Sequence, residues 1–304
     1  MAITAGQELT SPGVIRSTNE ILIGLKPTIT MVRQFVADLS SDLADYGAKI
    51  RVPMLSAGAV ENYGDDNCGD TNTGNFEHVT GGLGEAWVTL SNTPKITIPI
   101  TQKDKLEVAN DSFWGRCAEA GVDAIGKAIS KAVCDNFTKA NIEPDGTTRK
   151  VVMASVTKNA IAKLRTKAAS KGRVSDYVLM LDGEYFADLI SLLDSNVFGG
   201  TDPIQDGVVP NLYGFKAIIC SYDLPEGIKG VLVPANGLAI AVRPLSIPDP
   251  SAYPEYGVQA DENGFAVTAM RHTSFATGKC FYNVATNVGT ELLRKEDTFY
   301  IQAS

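Results

Sequence analysis

Residues able to do chemistry are present in this chain, but their spacing does not assemble them into a reactive group. The two histidines, His78 and His272, are far apart, and neither sits at a spacing that makes a metal pair or a Ser-His-Asp relay. No GxSxG elbow, HExxH pair or Walker loop occurs. Asp65-Asp66-Asn67-Cys68-Gly69-Asp70 supplies the oxygens a calcium ion takes. Its spacing is not that of an EF-hand, because Gly69 is misplaced and no glutamate closes the loop. No metal and no cofactor is therefore expected. Thr80-Gly81-Gly82-Leu83-Gly84 is glycine-rich but precedes a strand pattern, so it is a poor phosphate cradle. It reads as a hinge in which Gly81, Gly82 and Gly84 tolerate unusual dihedrals. The five cysteines include no CxxC pair, and their odd number and scatter fit reduced thiols made in a cytoplasm. Cys117 and Cys134 fall on an apolar helical stripe and read as small core residues. Asn136-Phe137-Thr138 matches a glycosylation sequon, but mid-helix in a cytoplasmic protein it reads as chance.

Composition narrows the class further. The 304 residues suffice for about two domains, and 44% hydrophobic with 20% charged residues is ordinary for a folded soluble protein. A net charge of −8 opposes general nucleic-acid affinity, which needs basic surface. The start, Met1 to Ala5, has no basic or apolar signal, so no secretion signal is expected. Apolar runs such as 231–233 and 238–242 are far too short to span a bilayer.

The positioning elements follow from periodicity. Residues 1–27 are polar and read as an extended arm with at most a short ordered patch. Thr28 or Thr30 can cap a helix over 31–44, striped by Val32, Phe35, Val36, Leu39 and Leu43 and ended by Gly47. Residues 47–53 alternate as a half-exposed strand. A polar span runs from Ser56 to Gly84. Residues 86–90 and 96–100 then form an expected hairpin across Ser91–Pro94. Pro99 places its strand at an edge or beside a bulge, because it cannot donate to a ladder. Residues 112–140 carry a long stripe from Trp114 to Phe137, with Gly115, Gly121 and Gly126 allowing close approach of another backbone.

After a turn-rich joint at 141–148 the pattern becomes α/β. A helix over 156–171, capped by Ser155, packs through Val156, Ala160, Ile161, Leu164 and Ala168. Residues 177–181 form a central buried strand, and 184–193 a helix. Shorter strands are expected at 215–220, 230–233 and 238–242, followed by a proline-marked loop. From Gly264 the pattern is β, with strands at 265–272, 280–285 and 290–294.

This order resembles the tailed-bacteriophage major capsid protein family, whose fold is shared with encapsulins. The similarity lies in Phe35–Asp38 leading to Gly47-x-Lys49-Ile50-x-Val52-Pro53, in Ile96–Ile100 ahead of the long helix, and in Thr268–His272 followed by Gly289–Arg294. The resemblance implies an α+β fold. Its expected parts are an N-terminal arm (1–34), a peripheral domain (35–54, 85–145 with the spine helix, and 263–304), an extended loop (55–84) and an axial α/β domain (146–262). It implies a structural, non-enzymatic subunit tiling hexamers and pentamers of an icosahedral phage head, assembled in the host cytoplasm. The implied partners are copies of itself, a portal, a scaffolding protein, decoration proteins and packaged DNA through nonspecific contact, with no membrane. An acidic shell wall is consistent with the net charge. Some members cross-link through a loop lysine, but no Lys or Arg lies between Arg51 and Lys95 here. The rivals are an encapsulin-type shell and a soluble α/β enzyme using carboxylates of 146–262.

Charge suggests how copies would meet. Glu61, Asp65, Asp66, Asp70, Glu77 and Glu85 make the loop acidic. Residues 146–175 hold Arg149, Lys150, Lys158, Lys163, Arg165, Lys167, Lys171 and Arg173 and no acid. The expectation is that the loop docks on a neighbour's basic surface, either this cluster or Lys127 and Lys131 on the spine.

Overall fold

In the computed structural model the described residues are 16–21, 23–25, 36–38, 49–55, 83–100, 111–172, 174–193, 208–210, 212–246, 255–260, 266–274 and 279–303. Residues 16–21 and 23–25 are helical (α1). The strands are β1 (Val36–Asp38), β2 (Lys49–Leu55), β3 (Leu83–Thr89), β4 (Lys95–Ile100), β5 (Lys150–Val152), β6 (Tyr177–Asp182) and β7 (Val208–Pro210). They continue with β8 (Ala217–Ser221), β9 (Gly230–Pro234), β10 (Leu238–Pro244), β11 (Glu255–Ala260), β12 (Ala266–Thr273), β13 (Cys280–Leu292) and β14 (Phe299–Gln302). The remaining helices are α2 (Asp111–Cys134), α3 (Lys139–Ile142), α4 (Lys158–Ala169) and α5 (Gly183–Leu192).

The stripe on α2 nucleates the larger core. Trp114, Cys117, Ile125, Ile129 and Val133 are buried, with Phe137 just beyond the helix. At 24 residues the helix is about 36 Å long. It ends before the expected 140 because Asn136 diverts its last carbonyls. The Asn136 amide donates to Ala132 O at 2.9 Å and to Thr290 Oγ1 at 2.7 Å, and the Thr290 hydroxyl donates to Ala132 O at 3.0 Å. The sequon asparagine is thus a structural tie between helix and strand. Thr138 then caps α3.

Two sheets flank this helix. The first has the order β1-β10-β13-β12-β11, with β4 also on β13. The 13 residues of β13 are long enough for β4 to pair with 280–285 and β10 with 286–292. The second sheet has the order β5-β14-β9-β6-β8-β7. Its central strand β6 is buried on both faces, as its apolar run requires. Val178, Met180, Ile219, Val231 and Tyr300 face the α2 core, while Leu179, Leu181, Ile218, Leu232 and Ile301 face α4 and α5. α4 makes the crossover from β5 to β6, and α5 that from β6 to β8. A separate ladder joins β2 and β3, and Ile50, Val52, Val88 and Leu90 pack on Ala239 and Ala241 of β10.

Several expectations are corrected. The helix over 31–44 gives way, at Val36–Asp38, to a strand parallel to β10, whose open edge offers ladder partners that a local stripe does not. The other residues of that helix lie outside the described ones. The hairpin 86–90/96–100 does not form: β3 pairs with β2 and β4 with β13. Asn92 explains the separation, since its N–H and C=O bridge to Val288 at 3.2 and 2.7 Å and draw the connection onto β13. Pro99 does sit on a strand whose one described neighbour is β13. The cap of α4 is Thr157, whose hydroxyl accepts from Ala160 N–H, and not Ser155. The expected gap between 285 and 290 is continuous strand, and β5, β7, β11 and β14 join the strands expected. The sheets also cross the expected unit boundaries. β10 and β11, within 146–262, belong to the first sheet, and β14, within 263–304, to the second. The physical reason is that β13 supplies a long edge for β10, while β14 fills the place between β5 and β9.

Candidate inter-subunit surfaces

The basic residues singled out by sequence divide into three environments. Arg149 is buried, and its guanidinium is spent internally. It donates to Asp145 Oδ1 at 2.6 Å and Oδ2 at 2.8 Å, and to Ile142 O at 2.9 Å. Its backbone N–H donates to Glu143 Oε1 at 2.7 Å. Hydrogen bonding to Arg149 holds the Asp145 carboxyl well below the usual carboxylate range. Arg149 is therefore a clasp on the joint between α3 and β5 and not part of a docking surface, which corrects its place in the basic cluster. Lys127 pairs with Asp123 one turn away at 2.9 Å, on exposed helix surface.

Lys158, Lys163, Arg165 and Lys167 are the third group. All four are exposed on α4, because Ala160, Ile161, Leu164 and Ala168 take the buried positions. Among the described residues no carboxylate pairs with them. Lys131 is likewise exposed on α2. Lys171 comes to 3.9 Å of Asp297.

On the acidic side, Glu61, Asp65, Asp66, Asp70, Glu77, Gly81 and Gly82 lie outside the described residues. Glu85 is not a loop residue; it sits in β3 and pairs with Arg51 across the ladder. Gly84 also lies in β3, opposite Met54 and one pair short of the ladder's end. A charged group that sequence reading missed joins Lys229 to Asp182 at 2.9 Å and Glu184 at 2.8 Å. Those bonds, to Glu184 and then Asp182, raise the lysine's pKa. The link from β9 to the start of α5 left no signal in residues 45 or more positions apart.

Within the expected N-terminal arm, residues 16–21 and 23–25 form an ordered patch, helix α1. Ile21 and Leu25 are fully buried against α2. A Cβ on Gly121 would stand 2.6 Å from Ile21 Cδ1, so this glycine does permit close helix approach. Gly115 has open space around it. Thr18 Oγ1 lies 3.1 Å from the buried Tyr282 hydroxyl, and Trp114 meets the Tyr282 ring edge-on at 5.5 Å.

Among the described residues, reactive groups do not converge. Cys117, Cys134 and Cys220 are buried free thiols. Burial raises the Cys134 pKa to about 11, which keeps it protonated and inert. Among the described residues no three His, Cys, Asp or Glu side chains are placed to hold a metal, and no helix is long and apolar enough to cross a membrane.

No protein-family model and no curated protein matches the chain. Solved structures do. The capsid of cyanophage P-SCSP1u shares 12% identity, with TM-score 0.53 over 90% of this chain and 87% of that one. A virus-like particle from Pyrococcus furiosus shares 11%, with TM-score 0.53 over 95% and 98%. The capsid of an empty GTA particle shares 11%, with TM-score 0.54 over 90% of each chain. The chain has the α+β fold of capsid shell proteins.

Proposed function

We propose that this chain is the major capsid protein of a tailed bacteriophage, a structural subunit with no catalytic role. It tiles hexamers and pentamers into an icosahedral head around double-stranded DNA. The observation that carries this reading is the shared fold with capsid proteins over nine-tenths of the chain. The parts of the 1–34 arm outside α1 and the loop 55–84 reach neighbours, the α2 spine and first sheet form the peripheral part, and the second sheet surrounds the capsomer axis. Assembly takes place in the host cytoplasm with a portal and a scaffolding protein, decoration proteins bind the finished head, and DNA is touched without sequence preference. The acidic residues Glu61, Asp65, Asp66, Asp70 and Glu77 dock on a neighbour's basic surface, at Lys131 or the α4 cations. Each exposed pair contributes only about 0–1 kcal/mol, and repetition over the lattice makes them count. Gly81, Gly82 and Gly84 act as the loop's hinge.

Expression of the full chain followed by electron microscopy tests the reading: shells, rings or capsomers are expected. A discrete dimer with a substrate-sized cleft overturns it in favour of an enzyme. The match to a virus-like particle over 95% of this chain favours a second reading, an encapsulin-type shell carrying protein cargo. Nuclease-protected DNA inside purified particles selects the phage head, and protein cargo without DNA selects the compartment.

A further inference from the structure

Helix α2 buries one side and leaves the other in solvent. The stripe from Trp114 to Val133 takes the buried side. Opposite it, Glu119, Asp123, Lys127 and Lys131 are all exposed, each four residues from the next. Positions at that spacing form a continuous ridge on a helix. Its charges run minus, minus, plus, plus over about 18 Å. The neighbouring row is Ala120, Ala124 and Ala128, the first two exposed and the third half-buried. Beside the charged ridge these short side chains leave a shallow groove. Lys127 and Asp123 reach each other at 2.9 Å along the ridge, yet 72% and 66% of their side chains stay open to solvent. Among the described residues no opposite charge pairs with Glu119 or Lys131 at the ridge's two ends.

We infer that α2 of one copy packs antiparallel on α2 of a second copy, across a two-fold axis level with Ile125, through Glu119, Asp123, Lys127 and Lys131. Packing the four-apart ridge of one helix into the four-apart groove of another crosses the axes at about 50° and lays the two ridges side by side. Run antiparallel, this row is its own complement. Glu119 meets the partner's Lys131, Asp123 meets the partner's Lys127, and the symmetry repeats both contacts. The four central charges then alternate in one network, which counts for more than an isolated surface pair. A parallel arrangement sets acid on acid and cation on cation, so repulsion selects the antiparallel one. The alanine row admits the partner's ridge and brings the axes to about 8 Å, the short end of helix separations. The contact rests on the shell reading and adds the surface that joins one ring to the next. Heterologous contacts close a ring, whereas an isologous contact links two rings. It assigns Lys131 to the partner helix and leaves the α4 cations to the acidic loop.

The test uses the purified full chain, followed by sedimentation velocity and negative-stain microscopy at low salt. K127E/K131E makes the row wholly acidic, and E119K/D123K makes it wholly basic. Each variant alone is expected to keep the wild-type melting temperature within about 2 °C, since all four side chains are exposed. Each is expected to raise the half-assembly concentration about tenfold or more. An equimolar mixture of the two regains assembly, because an acidic row then meets a basic one. The four-site swap within a single chain regains it as well. K127Q/K131Q, without reversed charge, is expected to fall between. The inference is overturned if K127E/K131E assembles like the wild type, or if neither the mixture nor the swap recovers. It is equally overturned if D65K/D66K/D70K rescues K127E/K131E, which would give Lys131 to the loop. Wild-type shells with indifferent variants remove this contact alone. A wild-type dimer that K127E/K131E splits, with nothing larger in any condition, keeps the contact and removes the shell reading.

Discussion

Arg149 shows how a surface-looking cation becomes part of the frame. Its two Nη atoms grip both oxygens of Asp145, and a third bond reaches the last carbonyl of α3. A guanidinium suits this because it presents several donors in one plane, which an ammonium does not. Arg149→Ala is expected to cost about 1–3 kcal/mol in chemical denaturation, by leaving the buried Ile142 carbonyl without its donor. Arg149→Lys recovers only part of it. The pair also predicts a pH dependence. Asp145 has its folded pKa lowered by Arg149, so its contribution is full above the ordinary carboxylate range near 4 and is lost as pH falls through the lowered value. The stability gap between wild type and Asp145→Asn should therefore narrow on acidification below about pH 4 and stay constant from about pH 6 to 8. A gap that widens in acid would refute the clasp. The sequence marked Arg149 only as one cation among eight, because burial depends on the return of β14 and the turn at 295–297 beside it.

Helix α1 and the glycines of α2 carry the next expectations. Ile21 and Leu25, fully buried, each contribute about 1.5–3 kcal/mol of transfer free energy. Deleting residues 1–25 should thus lower the melting temperature of the isolated subunit, and not merely its assembly. Unchanged melting would show that α1 is dispensable to the core. Gly115→Ala should stabilise by about 0.5–1 kcal/mol, since nothing crowds it and alanine favours helix. Gly121→Val should destabilise by about 1–3 kcal/mol, because Ile21 must be displaced. Equal effects at the two sites would contradict the packing. The stripe from Trp114 to Val133, the core strand 177–181 and the face of α4 were all legible, since each rests on a period within one segment. The strand at 36–38 and the partners of β3 and β4 were not, since β1 and β4 take edges supplied by residues about 180 to 200 positions away and β3 takes β2 across the connection from 55 to 83.

The chain as a unit is acidic, with basic residues gathered on α4. Isolated subunits should accordingly show no retardation of duplex DNA at about 150 mM salt, because too few phosphates are neutralised to offset the net repulsion. Tight, salt-sensitive binding would move α4 from a subunit contact to a DNA contact. The two sheets share the α2 core, and the first sheet draws strands from the start, middle and end of the chain. Sliding of one sheet against the other would disturb that common core, so shape change during assembly is expected at the 55–84 connection and not within the α2 interior.

From the linear chain one could read the periods, the absence of a catalytic spacing, and the separation of charge along the chain. These are local or additive properties that survive in any conformation. Which strand lies beside which, and that Arg149 is enclosed while Lys163 and Lys167 face outward, came from the folded arrangement. Pairing and burial are collective: each depends on the best partner available across the entire chain, and no window of sequence contains that comparison.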